Sequence, residues 1–206
     1  EQVHCDFTNF LVHGDFKKAD GENSILITYG FDKNGIKGKK QFNQEVAVTA
    51  DGGVPIMAQT LDGNTADVTR YTPLWREIEE LMGSSNFLTV GDCKLSCEEN
   101  LLTIAKGKGY FLAPLAMYST LREELSGYVL SGNQSPALLR TQQKDGKKIT
   151  FHGFEVSDSL VDKKTGETYD YRKIFVLSSQ LKDVHEKSLE SRLDKALDQI
   201  NKLESK

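Results

Sequence analysis

Between Val68 and Leu115 the hydrophobic period switches three times, and this alternation restricts the fold more than any other feature of the chain. Val68, Tyr71, Leu74, Trp75, Ile78 and Leu81 recur at helical spacings, with Gly83 as a stop. Asp67 or Thr72 could cap this helix, and Pro73 fits best within its first turn. Phe87-Leu88-Thr89-Val90 is a short apolar run ending in Gly91-Asp92, as expected of a strand buried on both faces. A second helix over Ser96 to Lys106 turns Leu101, Leu102, Ile104 and Ala105 inward, and Gly109 leads into a strand over Tyr110 to Leu115. Helix, strand, helix, strand in that order predicts parallel βαβ units.

The preceding residues read as strands. Val3 to Phe10 is one, and Asp20-Gly21-Glu22-Asn23 is a turn before a second over Ser24 to Phe31. A basic loop with Lys33, Lys37, Lys39 and Lys40 follows. Phe42 to Ala50 and Val54 to Thr60, joined by Asp51-Gly52-Gly53, form a hairpin signal. The prediction is an α/β mixed sheet whose first three strands are antiparallel and whose later strands are parallel. After Thr120 the texture changes: glycine turns separate strand-like pieces such as KKITFHGFEV and YRKIFVLSS. The expected division is therefore a core over 1–120, a β-rich insertion over 121–180 and an amphipathic helix over 181–206. That helix carries Leu189, Leu193, Ala196, Leu197, Ile200 and Leu203 on one face, with six basic residues balancing six acidic ones. This favours a packed or partner-facing helix over a DNA-reading arm.

Length and composition set outer bounds. At 206 residues, 38% apolar and 27% charged, the chain can form one good-sized domain, or one domain with a large insertion. Its apolar runs fall short of the roughly 20 residues of a membrane span, so no membrane association is expected. It begins at Glu1 rather than Met, already inside a strand pattern, and shows no secretory leader, so a fragment of a longer protein is expected. Cys5, Cys93 and Cys97 fit no disulfide framework, and a reducing, cytoplasmic setting is the simplest reading. A net charge of -4 argues mildly against nucleic acid, unless basic patches lie apart from the acidic groups.

Two carboxylates stand out by placement. Asp6 lies within the first strand and Asp92 at the end of the strand over Phe87 to Val90; a carboxylate there is costly without a partner. If the two strands are neighbours, both groups meet and offer hard oxygen ligands to magnesium or manganese. Two ions roughly 4 Å apart could activate water and stabilise a leaving 3′-oxygen. From spacing alone, the blander alternative is favoured: Asp92 as a helix N-cap and Asp6 as a solvated strand residue. Cys93-x3-Cys97 lacks the second pair of a zinc site, and its thiols read as structural and buried. The lysine loop reads first as a solvated loop and second as a phosphate contact. Trp75 is expected in the core, and no partner is evident for His152 or His185.

Four segments in order carry a family resemblance. Asp6-Phe7-Thr8 resembles the D-x-T of the first strand of DDE transposases of prokaryotic insertion sequences, in the large superfamily numbered four. Tyr29-Gly30-Phe31-Asp32-Lys33 is similar to that family's Y-G-x-S-K/D segment, with Phe31 and Asp32 fitting loosely. DGGVPIMAQTLDGNTADVTRYTPLWREIEEL matches its D-G-x-P hairpin, G-N-T-x-D and following helix. FLTVGDCKLSCEENL resembles the strand bearing the second catalytic aspartate, followed by Lys94 and the helical Asn100. Together these cover about the first 120 residues.

The resemblance implies an RNase H-like fold and a metal-dependent DNA strand transferase. Asp6 and Asp92 would be catalytic ligands to two Mg2+ (or Mn2+) ions, with water attack at the element's end followed by attack of the freed 3′-hydroxyl on target DNA. It implies DNA partners (transposon ends and target), a homodimer in the active complex and a prokaryotic cytoplasm. Lys94, Lys37, Lys39 and Lys40 are the expected DNA contacts. Asn64 and Asp67 are helpers under the resemblance, but equally a turn residue and a cap by their local sequence. The departure is the third ligand: Tyr169 and Arg172 begin the family's Y-x2-R-x3-E pattern, yet Val176 stands where the glutamate belongs. The chain alone is thus expected to have little or no transposition activity. A non-catalytic, transposase-derived module that binds DNA or itself is the alternative, and a nuclease of the same fold is a third.

Overall fold

The computed structural model describes residues 1–16, 24–31, 35, 38–132 and 134–204, with side chains through 202. The chain divides into two compact units, Glu1–Ala116 with Leu160–Tyr169, and Met117–Ser159 with Asp170–Lys206.

The first unit is built on a five-stranded sheet of β1 (Gln2–Val12), β2 (Lys40–Thr49), β3 (Pro55–Leu61), β4 (Leu88–Val90) and β5 (Tyr110–Leu112), in the order β3-β2-β1-β4-β5. β1 pairs antiparallel with β2, and β2 with β3; β4 runs parallel to both β1 and β5. The mixed α/β sheet with an antiparallel start and a parallel finish is as the sequence predicts. Between β3 and β4 lies α1 (Tyr71–Met82), and between β4 and β5 lies α2 (Glu98–Lys106). Val3, Cys5 and Phe7 of β1, Ala47 of β2 and Thr89 of β4 are buried on one face of the sheet, and Tyr71, Leu74, Trp75 and Ile78 are the buried stripe of α1. Leu101 and Ile104 are that of α2. Each fully buried leucine or isoleucine contributes about 1.5–3 kcal/mol. Trp75 stacks near Phe87 at 6.0 Å between ring centres, and a Cβ at Gly107 would come within 2.1 Å of its ring. Glycine is what lets the chain cross the indole there.

Several expectations need correction. Ser24 to Phe31 is no strand: it makes a single bridge, Thr28 to Gln41. Its backbone groups go elsewhere, Leu26 N–H donating to Asp62 Oδ1 (2.7 Å) and Gly63 N–H to the Leu26 carbonyl (2.9 Å). The preceding turn at residues 20–23 lies outside the described residues. β4 is not buried on both faces, because Leu88 and Val90 are only half-buried beside the exposed Tyr110 and Leu112. Neither Asp67 nor Thr72 caps α1; Arg70 takes the N-cap position, and the Thr72 hydroxyl bonds Asn100 Oδ1 at 3.0 Å. Pro73 does sit in the first turn, and Gly83 closes the helix in the left-handed region at φ 64°.

In the second unit, α3 (Ser119–Ser131) precedes a three-stranded sheet of β6 (Ala137–Lys144), β7 (Lys147–Val161) and β8 (Thr168–Ser178), and α4 (Ser179–Glu204) follows. α3 stands where only β-rich texture was expected. It is held by Tyr128, which packs against Phe154 and Phe175 at 5.7 and 5.8 Å, and by Glu124, which accepts from Lys173 Nζ at 2.9 Å. Lys173 also reaches Asp158 at 2.7 Å. Burial alone would weaken this ammonium; the two carboxylates outweigh it and raise its pKa. The tip of the β7–β8 hairpin belongs to the first unit, where Asp162 pairs with Lys106 at 2.6 Å and Lys163 with Glu98 at 3.2 Å. α4 is exposed from Gln180 through Lys202.

Candidate functional site

Asp6 stands on β1, and Asp92 lies just past the end of the neighbouring parallel strand β4. The last registered pair is His4 with Val90, and both aspartates lie two residues beyond it. Pleating sends Val3, Cys5 and Phe7 toward the buried face and His4, Asp6 and Thr8 to the other, where Asp6 is exposed. Leu88 and Val90 share the His4 side, since in-register neighbours project alike. The Asp6 carboxylate has no hydrogen-bond or ion-pair partner among the described residues.

Asp92 is fixed in place. β4 ends at Val90, the Gly91 N–H donates to the Leu112 carbonyl at 3.2 Å, and the chain turns. Asp92 Oδ1 accepts from the Tyr71 hydroxyl (2.9 Å) and from the Lys94 N–H (2.9 Å). It therefore closes a local turn of the Asx kind rather than capping α2, whose N-cap is Cys97. Tyr71 comes from the first turn of α1 and meets Phe7 edge-on at 5.0 Å, so it reaches Oδ1 from the buried side of the sheet. A Cβ at Gly91 would lie 2.8 Å from the Tyr71 ring, which makes glycine the residue that admits the phenol. Burial first, then the Asp92 carboxylate, pushes the Tyr71 phenol far above its ordinary pKa. Asp92 Oδ2 has no hydrogen-bond partner among the described residues and is the oxygen free to meet an ion.

The expected DNA contacts separate. Lys94 is exposed two residues after Asp92, at the same end of the sheet. Lys40 pairs with Val12 while Asp6 pairs with Val46, six positions along the strand, or about 20 Å. There Lys40 Nζ donates to the Phe16 carbonyl (3.0 Å) and Lys39 Nζ lies 3.0 Å from His13 Nδ1. Those two lysines are committed to the chain itself, and Lys37 lies outside the described residues. Asn64 is an exposed turn residue and Asp67 opens the single 3-10 turn before α1. The cysteines are free thiols: Cys5 is buried, Cys97 half-buried and Cys93 exposed, so the pair near Asp92 is not a buried one. No cluster of three His, Cys, Asp or Glu able to hold a metal ion occurs among the described residues.

Sequence reasoning read Tyr71 only as a helix core residue and passed over Glu45. The Glu45 carboxylate is fully buried, and Arg70 grips it with Nε at 2.9 Å and with a second nitrogen that also donates to Gln59 at 3.0 Å. This pair fixes the start of α1 on β2, one residue before the tyrosine that holds Asp92. A Glu in a strand pattern and an Arg before a helix give no signal of their pairing; only the folded contact does. No described helix is long and apolar enough to cross a membrane.

No family model matches the chain, and no curated protein matches it. Among solved structures, it is similar to a chain of a Mos1 transposase paired-end complex with left transposon end, with a TM-score of 0.36 and 12% identity over 65% of this chain and 48% of that one. The chain therefore spans about half the length of the solved chain it matches.

Proposed function

We propose that this chain is part of the RNase H-like catalytic core of a DDE transposase of a prokaryotic insertion sequence, with Asp6 and Asp92 as two of its metal ligands. The observation that carries the reading is the parallel pairing of β1 and β4, with both aspartates two residues beyond the last registered pair. The donor set fits a hard divalent cation: Asp6 offers an uncommitted carboxylate, and Asp92 one free oxygen beside one held by Tyr71. Bound Mg2+ or Mn2+ would supply Lewis-acid activation of water and of the scissile phosphodiester. The chain's own part is positioning. Tyr71 and the Lys94 N–H hold the Asp92 carboxylate, Arg70 and Glu45 hold Tyr71's helix, and exposed Lys94 supplies positive charge for a DNA phosphate. Transposon-end and target DNA are the partners of this reading, a homodimer its working assembly and a reducing cytoplasm its setting, in keeping with three free thiols.

The alternative, a non-catalytic transposase-derived module, is favoured by the lack of a third nearby ligand among the described residues and by the half-exposed Leu189, Leu193, Leu197 and Ile200 of α4. Titration calorimetry with Mg2+ and Mn2+ separates the two. The catalytic-core reading expects binding by the wild type and its loss in Asp6→Ala and in Asp92→Ala. A wild type that binds neither ion leaves the non-catalytic module.

A further inference from the structure

The β6–β7 turn and the first turns of α4 enclose a groove of about 370 Å³ within the second unit, lined by Ile149, Val184 and four lysines. Those are Lys144, Lys147, Lys148 and Lys187. Asp145 and Gly146 both have positive φ, 51° and 73°, the tight two-residue hairpin form. That turn sets Lys144 directly opposite Lys147, and like charges opposed across a hairpin cost stability. None of the four lysines has an ion-pair partner among the described residues. Asp145 and Asp183 also border the groove, leaving four cations against two carboxylates. The other end of the groove is fixed by Ser179 Oγ, which accepts from the Thr150 N–H at 3.1 Å. Charge is also divided unevenly: the second unit holds 13 Lys and Arg against 12 Asp and Glu, the first 13 against 18. The acidic excess that argued against nucleic acid thus belongs to the first unit.

We propose that this groove binds the phosphate backbone of duplex DNA. Phosphate chemistry follows from the unpaired lysines, which act as point charges without base-reading geometry, so binding is sequence-independent. The choice of DNA rests on the transposase reading above. The test is fluorescence anisotropy of the full chain with a 30-base-pair duplex, without divalent metal and over a range of salt. Four phosphate contacts give a log–log salt slope of about -3.6. The variant Lys144→Gln/Lys147→Gln/Lys148→Gln/Lys187→Gln is expected to bind at least about 10-fold more weakly and to lose most of that slope. A charge-matched control, Lys182→Gln/Arg192→Gln/Lys195→Gln/Lys202→Gln, is expected to keep near wild-type affinity. Relief of the Lys144–Lys147 repulsion predicts a melting temperature no lower than wild type, which excludes unfolding as the cause.

Equal loss in the control, unchanged binding in the groove variant, or a wild type that takes up pyrophosphate but no duplex would each overturn the proposal. Failure here with metal still bound at Asp6 and Asp92 removes the groove alone. DNA binding through the groove without metal binding removes the catalytic reading alone.

Discussion

Tyr71 joins three things at one side chain: the core through Phe7, the strand end through the space over Gly91, and the carboxylate of Asp92. A hydrogen bond to a charged acceptor contributes about 1.5–3 kcal/mol, so Tyr71→Phe is expected to lose stability in that range in urea denaturation. Because the folded phenol pKa is raised, the neutral phenol's contribution is complete below the ordinary value near 10 and is lost as pH rises toward the folded one. Wild-type stability should therefore fall more between pH 8 and pH 11 than that of Tyr71→Phe. Burial, with Glu45 nearby, pushes the Cys5 thiol up to about 12. A thiol reagent at pH 8 should label Cys93 fast and Cys97 more slowly, and Cys5 only after denaturation. Labelling of Cys5 in the native protein would contradict the packing of β1. Asp6 and Asp92 could be picked out from sequence because each is a carboxylate set against an apolar strand. The hold on Asp92 could not, since its partner lies 21 residues away on a helix whose periodicity says only that Tyr71 is inside.

At the scale of elements, the Arg70–Glu45 pair shows how α1 is pinned to the sheet. Arg70→Ala would strand a fully buried carboxylate and is expected to cost about 3–5 kcal/mol, whereas Arg70→Met/Glu45→Met should cost far less. Equal losses in the two variants would show that the charges themselves stabilise the fold. Helices α1 and α2 were legible because their apolar residues keep a helical period, β1 from its β-prone composition, and β2 and β3 from the Asp51-Gly52-Gly53 turn between them. Ser24 to Phe31 carries the composition of a strand, but its Leu26 N–H is spent on Asp62 and its Leu26 carbonyl accepts from the N–H of Gly63, where a Cβ would meet the Gln41 carbonyl at 2.0 Å. α3 was hidden for the opposite reason: Gly127 interrupts its period, and Tyr128 and Glu124 tie it to the neighbouring sheet through contacts distant in sequence.

At the scale of the molecule, two units with different charge balances share one chain, and the β7–β8 hairpin contributes to both. Lys106, the Lys164 N–H and the Thr165 hydroxyl hold the Asp162 carboxyl well below the usual carboxylate range. A depressed pKa means stability present above the ordinary carboxylate value near 4 and lost as pH falls through the folded value. Asp162→Asn should flatten the acid limb of the stability curve of the first unit, measured by denaturation between pH 6 and pH 2. The antiparallel start and parallel finish of the sheet were legible from the order of its elements; that β1 lies beside β4, and which side chains crown the sheet's end, depended on contacts that no local pattern encodes. The sharing of one cation by Asp6 and Asp92 is best tested by paramagnetic broadening from Mn2+ in the amide spectrum of the ¹⁵N-labelled chain. Broadening strongest at His4 through Phe7 and Gly91 through Lys94 and falling off through their neighbours Val46 and Tyr71, abolished at both segments by either Asp6→Ala or Asp92→Ala, is the expected result. Broadening at one segment only, or centred on another acidic stretch such as Glu77 to Glu80, would contradict it.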